Sequence, residues 1–445
     1  MVSFATKVYC VIEVMENRFW FIVAIRDEIS TLHGVWMIAT FLVVDVKGKK
    51  FACMQLVVDA LRPILANDTT IDSKLAITSG RISHYFVGHI HDVVRICCKE
   101  IEKARSEILI TSSYWEGASL SAFMLSRSLR RTVRNNGNIV IKIVVDNGSR
   151  ENIGKKGNLV TIDKHKWKKE LGLFFDDMLQ DVQVKSVHVP LLGTMHAKFL
   201  VVDNKRVVIS SNNVQDRPNA EMAVTMEGRV VSSFRDIFMR LFHYGGKVPK
   251  NLPLFSESNE QHETEEDVQI LMVSRGMYGG LFHDVVCPQN CAWWTLMSIA
   301  KKSITICSPT FNAEHAIDGV IEACKRKVSV RLILTKNFND KKEALPFQGG
   351  TNTVVVQKMK RRLRKAKAEE YLVVEWYIGA KETEPRKGVH SHVKFMIVDG
   401  EMVMFGNGNM DTQSWYHSME VNVLLKDTNL AKYLNNVATM NFSMS

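Results

Sequence analysis

The sequence predicts an α/β protein made of two homologous halves, each a sheet covered by helices. Internal repetition is the first observation behind this. "MHAKFLVVDNKRVVISSNN" at 195–213 recurs as "SHVKFMIVDGEMVMFGNGN" at 391–409, an offset of 196 residues at His196/His392, Lys198/Lys394, Asp203/Asp399 and Asn213/Asn409. The same offset returns far upstream, where Ile108-Leu109-Ile110 aligns with Ile304-Thr305-Ile306. Between these points "NIVIKIVVDN" at 138–147 best matches "KVSVRLILTKN" at 327–337, as expected of duplicated halves with compensating insertions. The second observation is alternation of apolar strand-like runs with amphipathic stretches, which argues for sheets flanked by helices. The third is composition. With 445 residues, 46% apolar and 24% charged, the chain has the balance of a globular protein, not of a disordered or polytopic membrane protein.

Taken in order, residues 1–74 form an N-terminal segment of unclear role. Its run "VWMIATFLVV" lies in an uncharged stretch of only 16 residues, Ile29 to Val44, too short to cross a bilayer. A buried segment or an interfacial anchor fits it better, and no signal-peptide pattern opens the chain. The first repeat is assigned to 75–248. There an amphipathic stretch from Val93 to Ala104 precedes the strand "EILITSSYW", the helical "LSAFMLSRSLRRTVRNNG" and the strand "IVIKIVVD". Residues 249–268, acidic and aperiodic, read as a linker or loop. The second repeat, 269–445, runs "AWWTLMSIAKK", "SITICSP", "AIDGVIEACKRK" and "VSVRLIL" in the same order. A basic helix at about 354–368 is read as its main insertion.

Charge is concentrated. Lys and Arg number 58 against 47 acids, a net charge of +11. Seven of the cations lie in the acid-free stretch 358–367, and the remainder of the chain carries only +4. Such an element suits phosphates of lipid head groups or nucleic acid, and is expected to govern contact with an anionic membrane surface. The eight cysteines show no C-x-x-C pair. Cys307 reads as core, and Cys287 and Cys291 near His283 make a weak metal signal, so a reducing, intracellular location (cytoplasmic or peripheral on a membrane) fits best.

The repeated motif carries the chemistry. Both "HAKFLVVD" and "HVKFMIVD" read as strands, which sets His196 and Lys198 on one face, and likewise His392 and Lys394. A histidine can attack phosphorus or protonate a leaving oxygen near neutral pH, and a lysine can stabilise the charge that develops. One histidine cannot perform both tasks in a single step, and the duplication supplies a second. Asn213 and Asn409, ending the two small-residue turns, can donate to the same phosphate. Glu221 and Glu420 each lie in a short apolar strand, where a carboxylate needs a partner; bonding to a His Nδ1 would orient the ring. Asp203 and Asp399, in "VDNK" and "VDGE", read as structural hairpin-turn residues.

H-x-K-x-x-x-x-D with a downstream G-S-x-N, twice in one chain, resembles the phospholipase D superfamily. "CPQNCAWWTLMSIAKKSITICSPTFNAE", "LPFQGGTN" and "GNGNMDTQSWYHSMEVNV" are similar to two-motif, cardiolipin synthase-like members found in fungi, and the likeness covers about 75–445. It implies two phospholipase D-like repeats, each a mixed sheet flanked by helices, packed with pseudo-twofold symmetry around one site. It further implies hydrolysis or phosphatidyl transfer on phospholipid, without metal or other cofactor, since two Lys and two Asn supply what a metal would. By the resemblance His196 is the nucleophile and His392 the acid; the near-symmetric sequence leaves that order open. A nuclease of the same superfamily is the alternative enzyme reading, and a dead membrane-binding scaffold the non-enzymatic one. The third motif element departs from the pattern: it is Ser210-Ser211-Asn212-Asn213 in the first copy and Gly406-Asn407-Gly408-Asn409 in the second, which puts the serine's hydrogen bond in doubt there.

Overall fold

A computed structural model describes residues 53–146, 159–174, 181–245, 266–280, 286–379, 384–385 and 388–443, together with the backbone of three N-terminal strands. Those strands, Lys7–Met15, Arg18–Arg26 and Met37–Asp45, form a separate antiparallel sheet. The apolar run of the N-terminal segment is thus largely strand. Among the described residues no helix is long and apolar enough to cross a membrane. The acidic stretch up to residue 265, and His283, lie outside the described residues.

The rest is α/β, with its two halves laid out alike. In the first half, strand Ile77–His89 is followed across the sheet by Asn219–Glu227, Arg206–Ser210, Phe199–Val202 and Glu107–Ser112, all antiparallel. Val140–Val145 and Val182–Val189 then add parallel to the far side. The second half repeats this order with Val268–Arg275, Glu420–Lys426, Met402–Gly406, Phe395–Val398, Ser303–Ser308, Ser329–Leu334 and Leu372–Trp376. Antiparallel pairing of Ile77–Gly80 with Val268–Leu271 joins the halves about a pseudo-twofold axis. The 196-residue offset holds at both ends of three strand pairs, including Phe199–Val202/Phe395–Val398, whose residues are all buried. Burial on both faces explains why these strands read as unbroken apolar runs.

Helices cover the sheet where amphipathic stretches predict them: Ile90–Ile101 and Leu120–Asn135 in the first half, Pro288–Ile299 and Glu314–Lys325 in the second. The Ser119 hydroxyl starts the second of these by accepting from the Ala122 N–H at 3.1 Å. Helix Cys53–Leu65 buries Met54, Val57, Val58, Leu61 and Leu65 in the main core, so the chain joins the fold some 20 residues before the first repeat as read from sequence. The basic helix, Asn352–Lys365, is the crossover between parallel strands Ser329–Leu334 and Leu372–Trp376. It thus makes the crossover that a parallel pair requires.

Asp203 and Asp399 sit at hairpin tips with φ of 54° and 52°, followed by Asn204 and Gly400 at 49° and 72°. Two successive left-handed residues make a primed turn, set in a three-residue connection because Val202 pairs with Arg206 and Val398 with Met402. Each carboxylate also accepts backbone N–H groups that lead into the adjacent strand: Arg105, Ser106 and Glu107 at 2.7–2.9 Å, and Lys301, Lys302 and Ser303 at 2.7–3.2 Å. These bonds outweigh the effect of burial and hold Asp203 below the usual carboxylate range.

Candidate active site

The two H-x-K triplets meet where the halves face each other. Neither triplet lies within its strand; the regular ladder begins one residue later, at Phe199 and Phe395. The triplets' backbone is instead claimed by the other half. The His196 N–H donates to Met419 O at 2.9 Å, and the His392 N–H to Ala220 O at 2.8 Å. The Lys198 N–H donates to Asn407 Oδ1 at 3.0 Å, and Asn407 Nδ2 to Ser210 O at 2.8 Å. Asn407, the residue at the missing serine's position, is thus a clasp between repeats.

Each imidazole is paired with a carboxylate of the opposite repeat. His196 Nδ1 lies 2.8 Å from Glu420 Oε2, and His392 Nδ1 lies 3.1 Å from Glu221 Oε2. With the carboxylate ionised and accepting from Nδ1–H, Nε2 of a neutral ring keeps its lone pair free, the form a nucleophile needs. Neither half alone can build this arrangement. Lys198 and Lys394 are 1% and 2% exposed, and their Nζ atoms donate to the carbonyls of His196 and His392 at 2.7 and 2.6 Å.

Serine placement breaks the symmetry. In the first repeat the Ser211 hydroxyl donates to Glu221 Oε2 at 2.5 Å. In the second, Ser414 takes that task from a different element, donating to Glu420 Oε1 at 2.6 Å and accepting from the Asn409 N–H at 3.1 Å. Ser414 lies in the short helix Thr412–Tyr416, capped by Asp411. Glu420 follows Asn409 by eleven residues where Glu221 follows Asn213 by eight, and the extra length accommodates this helix. The Nδ2 of Asn409 donates to Asp411 at 2.8 Å, while the Oδ1 atoms of Asn213 and Asn409 are buried without a partner.

Two further supports escaped the sequence reading. Asp146, which ends strand Val140–Val145, accepts from the Met195 N–H at 2.7 Å, one residue before His196. Thr335 occupies the matching place after Ser329–Leu334 and donates to Ser391 O at 3.0 Å, one residue before His392. Their signal in sequence is only that each directly follows a strand that lies one strand away from the motif strand in the sheet. Cys287 is buried against the Arg275 guanidinium. Among the described residues no three His, Cys, Asp or Glu side chains are grouped to hold a metal ion.

Burial and mutual repulsion shape the charges. Desolvation, reinforced by the other ammonium, lowers Lys198 to about 7; desolvation alone outweighs the nearby carboxylates to lower Lys394 to about 8. Burial and the two ammonium groups push His196 well below its ordinary value; for His392, burial and the same cations outweigh Glu221 and bring it to about 4. Burial raises Glu420 to about 8 against the pull of the lysines and Ser414, whereas His392 and Lys394 outweigh burial and keep Glu221 low. Both histidines therefore rest neutral at pH 7.

Two outcomes follow from this geometry. If the ammonium forms are the working ones, kcat/KM falls as pH rises through about 7 to 8, because a lowered lysine pKa brings deprotonation into that range. An alkaline limb near the ordinary lysine pKa of about 10.4 in a pH–rate profile would contradict the shared burial of these groups. Ser414→Ala, by removing a hydrogen bond to Glu420, is expected to lower kcat roughly ten- to hundredfold. Ser414→Thr, which keeps the hydroxyl, should recover much of it in the same assay.

Comparison with known proteins agrees with this architecture. Residues 97–242 and 294–440 each match the family described as "Cardiolipin synthase, PLD-like domain", one match per repeat. Probable cardiolipin synthase YwiE of Bacillus subtilis (strain 168) is 23% identical over 255 residues, 54% of this chain; the aligned part spans 44% of that relative's length. The crystal structure of phosphatidylserine synthase from Haemophilus influenzae Rd KW20 shares the fold, with a TM-score of 0.58 and 14% identity over 87% of this chain and 90% of that one. With both repeats matched, over more than half of its length, the chain belongs to the phospholipase D superfamily, in the family of cardiolipin synthase-type phospholipase D-like domains.

Proposed function

We propose that the protein is a phospholipid phosphodiesterase or phosphatidyltransferase working through a phosphohistidine. The observation that carries this is the pair of histidines, each bonded to a carboxylate of the other repeat, with a buried lysine donating to the backbone carbonyl of each. In the first step His196 Nε2 attacks phosphorus, the bond to the leaving oxygen breaks, and His392 gives that oxygen a proton. In the second, neutral His392 takes a proton from the incoming water or alcohol, whose oxygen displaces His196 from phosphorus. Lys198 and Lys394, with the side chains of Asn213 and Asn409, would hold the non-bridging oxygens, a task otherwise suited to a metal ion. A phosphodiester anion bound near the lysines would offset their effect on His392 and raise its pKa, favouring the protonated ring that must deliver the proton.

The printed functions of the two relatives, a probable cardiolipin synthase and a phosphatidylserine synthase, support phospholipid as the substrate class. The test is incubation with a mixed phospholipid panel plus glycerol, in the presence of chelator, with products read by mass spectrometry. Phosphatidate would report hydrolysis and new phosphatidylglycerol would report transfer. Cleavage of DNA or RNA with no lipid product would overturn the reading in favour of a nuclease.

A further inference from the structure

Nine large apolar side chains are exposed among the described residues, and all but Phe174 and Val373 fall next to the site end of the two halves. Strand Glu107–Ser112 runs antiparallel to Phe199–Val202 with Thr111 opposite Phe199, so the chain leaving Ser112 emerges beside Lys198. Tyr114 is exposed there, and Leu120 and Phe123 follow in the first turn of the next helix. That turn is tied to the site end, since the Leu120 and Ser121 N–H groups donate to Asp216, three residues beyond Asn213.

The second half repeats the pattern. Cys307 stands opposite Phe395, and Asn352 bonds Pro309 O and Thr335 O at 2.8 and 2.7 Å, so helix Asn352–Lys365 also starts at the site end. Val354 in its first turn is exposed, as are Leu345 and Phe347 (76%) in the loop before it. That loop is held by Asn312, which donates to Glu343 Oε2 and Gly350 O at 2.5 and 2.9 Å. Leu191, 79% exposed, lies five residues before His196. Exposed cations lie among these residues: Arg127 and Arg217 in the first half, Lys336, Lys341 and Lys342 in the second.

We propose that this rim is an interfacial docking surface for a phospholipid bilayer bearing anionic head groups, and that it sets the site's mouth against the membrane. Apolar side chains ringed by cations match that interface in both respects: the former enter the acyl boundary and the latter meet phosphates. Exposed apolar side chains gathered at one rim are otherwise a liability in water. The inference rests on the phospholipid reading above, and it moves membrane contact away from the basic segment 358–367. A 14-residue helix is about 20 Å long, so the basic end of Asn352–Lys365 lies at the opposite edge of the sheet from His392. Two of its cations are also engaged there, Arg362 with Asp318 and Arg364 with Glu369, both at 2.6 Å.

Flotation with phosphatidylcholine vesicles, with and without phosphatidylglycerol, tests this on the full chain. The Leu120→Ser/Phe123→Ser and Leu345→Ser/Phe347→Ser pairs should each weaken attachment to the anionic vesicles by about tenfold or more. Lys360→Gln/Arg361→Gln/Lys365→Gln, at the far end, should change it less than about twofold. Turnover of a soluble p-nitrophenyl phosphodiester should be unchanged in all three, which shows that fold and site are intact. Rim-dependent attachment without lipid turnover would sustain the docking surface while the substrate reading fails. Attachment lost through the far-end cations and untouched by the rim would overturn it. So would rim substitutions that only convert a dimer to a monomer, since the rim would then be a face between two copies of the chain.

Discussion

His196→Ala is expected to lower turnover by at least about 10⁴-fold on any substrate and to remove the covalent adduct entirely. Losing an attacking group removes the first chemical step, and its neighbours cannot substitute for it. Lys198 is the nearest candidate, but its Nζ is directed to the His196 carbonyl at 2.7 Å, and it is needed charged. His392 is bonded at Nδ1 to Glu221, and in the proposed mechanism its Nε2 serves proton transfer. The fold should survive, because the His196 backbone N–H, which spans to Met419, is retained in the variant. Unchanged thermal unfolding with abolished turnover would separate chemistry from structure.

His392→Ala is expected to act differently, and the difference depends on the substrate. With an alkyl leaving group the first step lacks its proton, and the rate should fall by about 10²- to 10⁴-fold. A p-nitrophenolate leaves without protonation, so the first step should survive. The second step still lacks its base, and the phosphoenzyme should accumulate. A burst of p-nitrophenol followed by a slow steady rate is the expected trace. Equal loss on both substrates would show that His392 acts by binding instead of by proton transfer.

Much of the framework can be read from the chain. The strand pairs carry the 196-residue offset because burial on both faces restricts those positions to apolar residues in both repeats. The hairpin aspartates are readable because Asp-Asn and Asp-Gly are the residues a primed turn favours. What could not be read depends on strand order in space. Glu221 lies 25 residues after His196 in the chain, yet it bonds His392, because its strand ends against the other half at Ala220. Ser414 replaces the missing motif serine from a short helix seven residues beyond the offset position at Asn407, so alignment by offset passes over it. The basic stretch 358–367 announces itself by composition, but only the direction of its helix shows that it lies away from the site.

The exchange of carboxylates between repeats ties the two histidines into one site, and the place of the covalent bond tests the proposed division of their roles most directly. Wild-type protein turning over a labelled phosphodiester, quenched in acid and mapped by peptide, should carry the label on His196 within "MHAKFLVVD". Label on His392 within "SHVKFMIVD" would reverse the assignment, and absence of any label would mean that water attacks phosphorus directly.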